Sequence, residues 1–284
     1  MTWQVYHVIV RLRSPLHIGY RKVGNVQRTR PYVTGRVLWG ALTMRLTRDA
    51  AQGSEPASDS LQYDAIGKQV HRNLAFTYFY PALKSGNDYQ VVWPWENETL
   101  FRRRFLSSYQ STALAYPQHA AAEGMLHEVE YISPYTLDTG QPVYLKGYIF
   151  AKTDCTLDWQ SALERLHIGG ERGYGWGATE LVQISPCEDD QLFGGVAQFQ
   201  QSNNSFTISL PKDGRLLAHT KADNAAIIGN LEPLVGREWR SNGGAGQHIA
   251  FTGVCFSPGS VVTEARCFTV QEFGVWVAAQ PTNV

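Results

Sequence analysis

Residues 3–12 set Val5, His7, Ile9 and Arg11 on one side against Tyr6, Val8, Val10 and Leu12 on the other. This is the period-two pattern of a strand. The run ends at Ser14-Pro15, and a polar, basic loop continues to Arg30. From Thr34, a plausible N-cap, the period changes: Val37, Leu38, Ala41, Leu42 and Leu46 recur at helical spacing. Residues 50–61 read as a surface loop, and 74–81 and 91–95 as strands. Residues 100–122 follow neither period and read as part of an insertion. Residues 125–131 and 142–152 read as strands with a turn at Asp138-Thr139-Gly140 between them. An amphipathic segment at 158–166, a glycine-rich loop and an apolar strand at 178–184 complete the first half.

This order, β-α-β-β-α-β with an elaborated middle, predicts an α+β fold. Its first unit, 1–185, is a ferredoxin-like (RNA-recognition-type) domain with an insertion around 84–122 and the glycine-rich loop at 169–177. The polar stretch 186–204 reads as a linker. Residues 205–284 read as a second, smaller, mostly β domain, with strands at 205–210, 253–256, 260–265 and 274–279, a helix over 222–235 and a second glycine-rich turn at 240–246.

Composition narrows the class. The 284 residues are 43% hydrophobic and 18% charged, which is globular rather than disordered. No apolar run is long enough for a membrane span, and the start lacks a signal-peptide pattern, so a cytoplasmic protein without membrane contact is expected. The four cysteines lack close spacing, and the eight histidines lack ligand spacing, so neither a metal nor another cofactor is expected. The net charge of zero conceals an asymmetry. Residues 1–48 carry nine Lys or Arg and no acid, leaving 16 basic against 25 acidic side chains in the rest. A one-signed segment of this kind predicts an anionic partner, and nucleic acid is the natural polyanion.

The glycine-rich loop is the second signal. Residues 167–177 hold Gly169, Gly170, Gly173, Gly175 and Gly177, with Arg172, Tyr174 and Trp176 between them. Five glycines exceed what a helix stop needs, and a guanidinium with two rings suits a phosphate backbone with unpaired bases. Arg102-Arg103-Arg104 between Phe101 and Phe105 reads as a projecting finger.

Three stretches resemble the RAMP superfamily of CRISPR-associated proteins. Ser14-Pro15-Leu16-His17-Ile18-Gly19 is similar to the end of that family's first strand. Tyr32-Val33-Thr34-Gly35-Arg36-Val37-Leu38-Trp39-Gly40-Ala41-Leu42 resembles its "I-P-G-S-S-L-K-G" helix opening, and 169–177 its glycine-rich loop. Gly124 to Glu130 also resembles type III members. The resemblance implies one or two ferredoxin-like domains, and a subunit that binds CRISPR guide RNA beside other RAMP subunits and a polymerase-like large subunit, meeting target RNA indirectly.

Within the family, backbone subunits cut target RNA with an Asp in the loop before the first helix. Here Tyr20 to Pro31 holds no acid, so metal-assisted cleavage at that loop is not expected. The extension beyond the glycine-rich loop and Pro258-Gly259-Ser260 resemble the subunit that caps the guide's 5′ handle. That role, without catalysis, is the expectation. The expected RNA contacts are His17, Arg21, Lys22, Arg28, Arg30, Arg36, Arg45, Arg102, Arg103, Arg104, Arg172, Tyr174 and Trp176. The alternatives are a backbone-type RAMP subunit and a metal-independent endoribonuclease using His17, Tyr20 and Lys22.

Overall fold

The computed structural model describes residues 2–51, 59–116, 119–202, 205–222, 226–240, 243–244 and 246–279. The first half runs β1 (Trp3–Leu12), β2 (Gly19–Val23), β3 (Val26–Thr29), α1 (Gly35–Ala51), α2 (Ser60–Asn73), β4 (Leu74–Phe76), β5 (Tyr80–Ser85) and β6 (Asp88–Val91). It continues through α3 (Glu98–Phe105), β7 (Leu106–Ser111), β8 (Leu114–Ala115), β9 (Ala120–Ala121), β10 (His127–Ile132), β11 (Tyr144–Lys152), α4 (Trp159–Leu163) and β12 (Thr179–Pro186). The second half is mainly strands: β13 (Gln191–Leu192), β14 (Ala197–Ser202), β15 (Ser205–Leu210), β16 (Thr220–Lys221), β17 (Ile227–Ile228) and β18 (Leu231–Glu238). Last come β19 (His248–Phe256), β20 (Val261–Val262), β21 (Arg266–Val270) and β22 (Trp276–Ala278).

The fold is mixed α and β, mostly strands, with four helices and several sheets among the described residues. The first sheet runs β12-β1-β11-β5-β6, and β4 also pairs with β11. Its alternating side chains feed two cores. Leu145, Ile149 and Ala151 of β11 point to one face, where Leu38, Leu42 and Leu46 of α1 and Trp159 and Leu163 of α4 cover them. Tyr148 and Phe150 of the same strand point to the other face and meet Phe206, Ile208, Phe268 and Trp276 of the second half. Phe150 stacks on Phe206 at 4.0 Å. The eight-stranded second sheet, β13-β14-β15-β21-β22-β16-β19-β18, is therefore the back cover of the first. Burial on both faces explains why Tyr78, Phe79, Tyr80 and Phe150 are so apolar an assembly. A smaller sheet, β2-β3-β10-β7, stands beside the helical layer.

Several expectations need correction. Residues 60–73 form α2, capped by the Asp59 side chain on the Leu61 amide. The helix exposes most of its surface, so its apolar pattern is too sparse to read; of the expected loop, 52–58 lie outside the described residues. The expected linker instead holds β13 and β14, with Phe199 edge-on to Phe150. Residues 227–238 are strands rather than a helix, and 223–225 lie outside the described residues. Residues 91–95 lie beyond the end of β6 except for Val91, and only Val261 and Val262 of 260–265 are strand. The basic loop before α1 is the β2–β3 hairpin, turning at Gly24 with φ of 59°. Positions 241, 242 and 245 of the second glycine-rich turn lie outside the described residues.

Candidate nucleic-acid interface

The segment after β1 and the glycine-rich loop are zipped together by backbone bonds. Gly177 N donates to the Pro15 oxygen at 2.8 Å, and Gly170 N to the His17 oxygen at 2.8 Å. Ala178 N donates to the Ser14 hydroxyl at 2.9 Å. Two glycines are needed for this approach. Gly169 and Gly177 have φ of 82° and 80°, and a Cβ on them would come within 2.4 Å of the His17 oxygen and 1.9 Å of the Ile168 oxygen. Gly173 has nothing within 4 Å of such an atom, so its lack of a side chain is not required by packing.

Between this zipper, the β2–β3 hairpin, the first turns of α1 and the β18–β19 ribbon lies a groove of about 830 Å³. Its lining brings together His17, Tyr20, Arg21, Lys22, Arg30, Arg36, Gly169, Gly170 and Arg172, to which the second half adds Arg237 and Ile249. Among the described residues that line it, six Lys or Arg face one acid, Glu171. Such a surplus in a concave site concentrates polyanions.

The cations are not equivalent. Arg30 donates to both oxygens of Glu232, at 2.9 and 3.3 Å. Arg36 donates to Glu238 at 2.9 Å and lies 3.7 Å over the Phe273 ring. Both tie the halves together. Arg28 and Arg102 share Glu130, and Arg45 pairs with Asp49. The acid-free segment is thus partly neutralised by acids from later in the chain. Arg21 and Lys22, on the fully exposed β2, form no ion pair among the described residues. Arg172 donates to the Met44 sulfur and remains exposed.

Beneath Arg30 lies a buried polar chain. Tyr78 Oη donates to Nδ1 of His219 at 2.7 Å, and Nε2 of His219 donates to Glu232 at 2.7 Å. Burial lowers the pKa of His219, outweighing the Glu232 carboxylate. Burial would raise Glu232, but hydrogen bonds from His219 and Arg30 hold it down at about 2. The imidazole is therefore neutral and the carboxylate charged, which defines the donors above. Burial also pushes the Tyr78 hydroxyl well above its ordinary range, so it is a donor and not a nucleophile.

The rings divide as well. Tyr174 is 75% exposed, and neither it nor Trp176 lines the groove. Trp176 is half-buried, edge-on to Tyr131 at 5.0 Å and Tyr109 at 6.4 Å. The expected finger is helix α3: Phe101 and Phe105, four apart, stack at 4.8 Å inside the core. Arg102 and Arg104 pair with Glu130 and Asp138, leaving Arg103 exposed, and none of the three lines the groove. Among the described residues, no group of three or more His, Cys, Asp or Glu converges as metal ligands.

Arg237, Val235 and Ile249 are groove residues that sequence reasoning missed. They share the exposed face of β18–β19, where Val235 pairs with Phe251 and Arg237 with Ile249. Strand alternation in 231–238 was the available signal; their distance in sequence from the rest of the groove hid the location.

No family model matches the chain, and no curated protein matches it. Among solved structures it is similar to a chain of type III-B Cmr-beta bound to cognate target RNA and AMPPnP. That match has 10% identity, covers 90% of this chain and 85% of that one, and has a TM-score of 0.49. It is also similar to a chain of Cmr-beta bound to cognate target RNA, at 10% identity over 64% of this chain and 96% of that one. A chain of the apo state of Cmr-beta matches at 9% identity over 65% and 98%; both of these have TM-scores of 0.40.

Proposed function

We propose that the chain is a non-catalytic guide-RNA-binding subunit of a type III CRISPR effector complex, gripping the repeat-derived 5′ handle and docking neighbouring subunits. One observation carries the reading. The three stretches that resemble the RAMP superfamily, two near the start of the chain and the third far along it, converge on one groove with a surplus of cations. Single-stranded RNA is held in this way, phosphates on Lys and Arg and unpaired bases on rings. The order β12-β1-β11-β4 around α1 and α4 supports a ferredoxin-like first unit. The test is binding of a repeat-derived guide by the full chain: retention that is lost on replacing Arg21 and Lys22 is expected, and no retention at low salt would refute it.

A processing endoribonuclease is the second reading, favoured by His17, Tyr20 and Lys22 lining the same groove. It requires cleavage of repeat RNA in EDTA that disappears in His17→Ala. The non-catalytic reading expects intact RNA in EDTA, Mg²⁺ or Mn²⁺.

A further inference from the structure

Under the glycine-rich loop, the ring of His17 occupies a slot between two glycines. Its Nδ1 lies 2.6 Å from the backbone oxygen of Glu130. A carbonyl oxygen only accepts, so in the neutral ring the proton is on Nδ1 and the lone pair on Nε2. On one side a Cβ at Gly170 would come within 3.2 Å of Cδ2; on the other, a Cβ at Gly19 would lie 2.8 Å from Nε2. Glycine at position 19 therefore keeps Nε2 uncovered. The residue is only 5% exposed, yet it lines the groove, and Nε2 has no hydrogen-bond partner among the described residues.

We propose that Nε2 of His17 is a fixed acceptor for a ribose 2′-hydroxyl, through which the groove selects RNA over DNA. This rests on the reading of the groove as a single-stranded RNA site. The cations beside it, Arg21, Lys22 and Arg172, only donate, and they match phosphate oxygens. A bare acceptor among donors calls for a ligand donor. A nucleic-acid backbone lying along that cationic wall offers one, the 2′-hydroxyl, and DNA lacks it. With DNA in place, the half-enclosed lone pair loses its water without gaining a partner, which is the asymmetry that makes polar sites selective.

The test measures fluorescence anisotropy of the full chain with a single-stranded oligoribonucleotide of mixed sequence and its all-deoxy counterpart, uracil in both. The expected preference for RNA is about tenfold, equivalent to about 1.4 kcal/mol. His17→Phe, which keeps a ring but has no lone pair, should abolish the preference, so that RNA and DNA bind with equal affinity. Gly19→Ala, which sets a methyl against Nε2 on an exposed strand, should do the same with the ring in place. Should His17→Phe fail to fold, Gly19→Ala decides. Equal binding of both oligonucleotides by the unaltered chain, or a full RNA preference in Gly19→Ala, overturns the inference and leaves the groove reading intact. Loss of binding to both sugars alike in Gly19→Ala also overturns it, since Nε2 would then meet a base. Failure to bind either oligonucleotide at low salt overturns the groove reading itself.

Discussion

Replacing Arg21, Lys22, Arg172 and Arg237 with Ala separates cations that serve a ligand from those that serve the fold. All four line the groove, and none forms an ion pair among the described residues. If each neutralises one phosphate of a single strand, the slope of log K against log salt should fall by about 0.7 per residue, or about 2.8 for all four. Between about 50 and 200 mM salt, the unaltered chain should then lose roughly 50-fold more affinity than the variant. The thermal midpoint should barely move, because exposed substitutions of this kind cost within about 0.5 kcal/mol. Arg30→Ala should behave oppositely. It leaves Glu232 beside His219 without its buried guanidinium, a loss of about 3–5 kcal/mol seen as a lower midpoint. Guide-binding titrations at four salt concentrations with parallel melting curves supply both readouts. An unchanged slope in the quadruple variant would refute the groove as the phosphate site. Full stability in Arg30→Ala would refute its role as the tie between the halves.

The remaining predictions concern stability. The folded state holds His219 neutral with a lowered pKa and Glu232 charged with a pKa of about 2. The unfolded chain therefore takes up protons first on acidification, and stability should fall as pH drops below about 6.5 and again below about 4.5. Glu232→Gln should shrink the lower limb in melting curves, the remainder coming from other carboxylates held down by partners, such as Glu238 beside Arg36, and a pH-independent midpoint would contradict the assignment. Gly177→Ala, forced to φ of 80° with its Cβ 1.9 Å from the Ile168 oxygen, should cost at least about 1–3 kcal/mol, whereas Gly173→Ala should stay within about 0.5 kcal/mol. Denaturant titration tests the pair; equal effects would show that the loop does not need its zipper. On α3, Arg103→Ala should be neutral and Arg102→Ala destabilising, because only Arg102 meets the buried Glu130. A neutral Arg102→Ala would show that Glu130 is satisfied by Arg28 and the Thr29 amide alone.

Local pattern was enough to place β1, α1 and α4, whose apolar residues recur at the spacing of their own backbone, and β11 and β12, which read as apolar runs of strand length. It also singled out the glycine-rich loop and the segment after β1, whose composition departs from what secondary structure alone requires. Sparse or evenly polar segments hid their structure: α2 buries few residues, and β14 carries glutamines around one core ring, Phe199. Charge was the most misleading signal when read locally. The acid-free first 48 residues looked like one basic patch, but Glu130, Glu180, Glu232 and Glu238 fold back onto Arg28, Arg13, Arg30 and Arg36. Sequence alone thus determined which side chains were available for an anion. Which of them stay free was decided by tertiary structure, since an ion pair forms between neighbours in space and the chain brings its acids from up to 202 residues away.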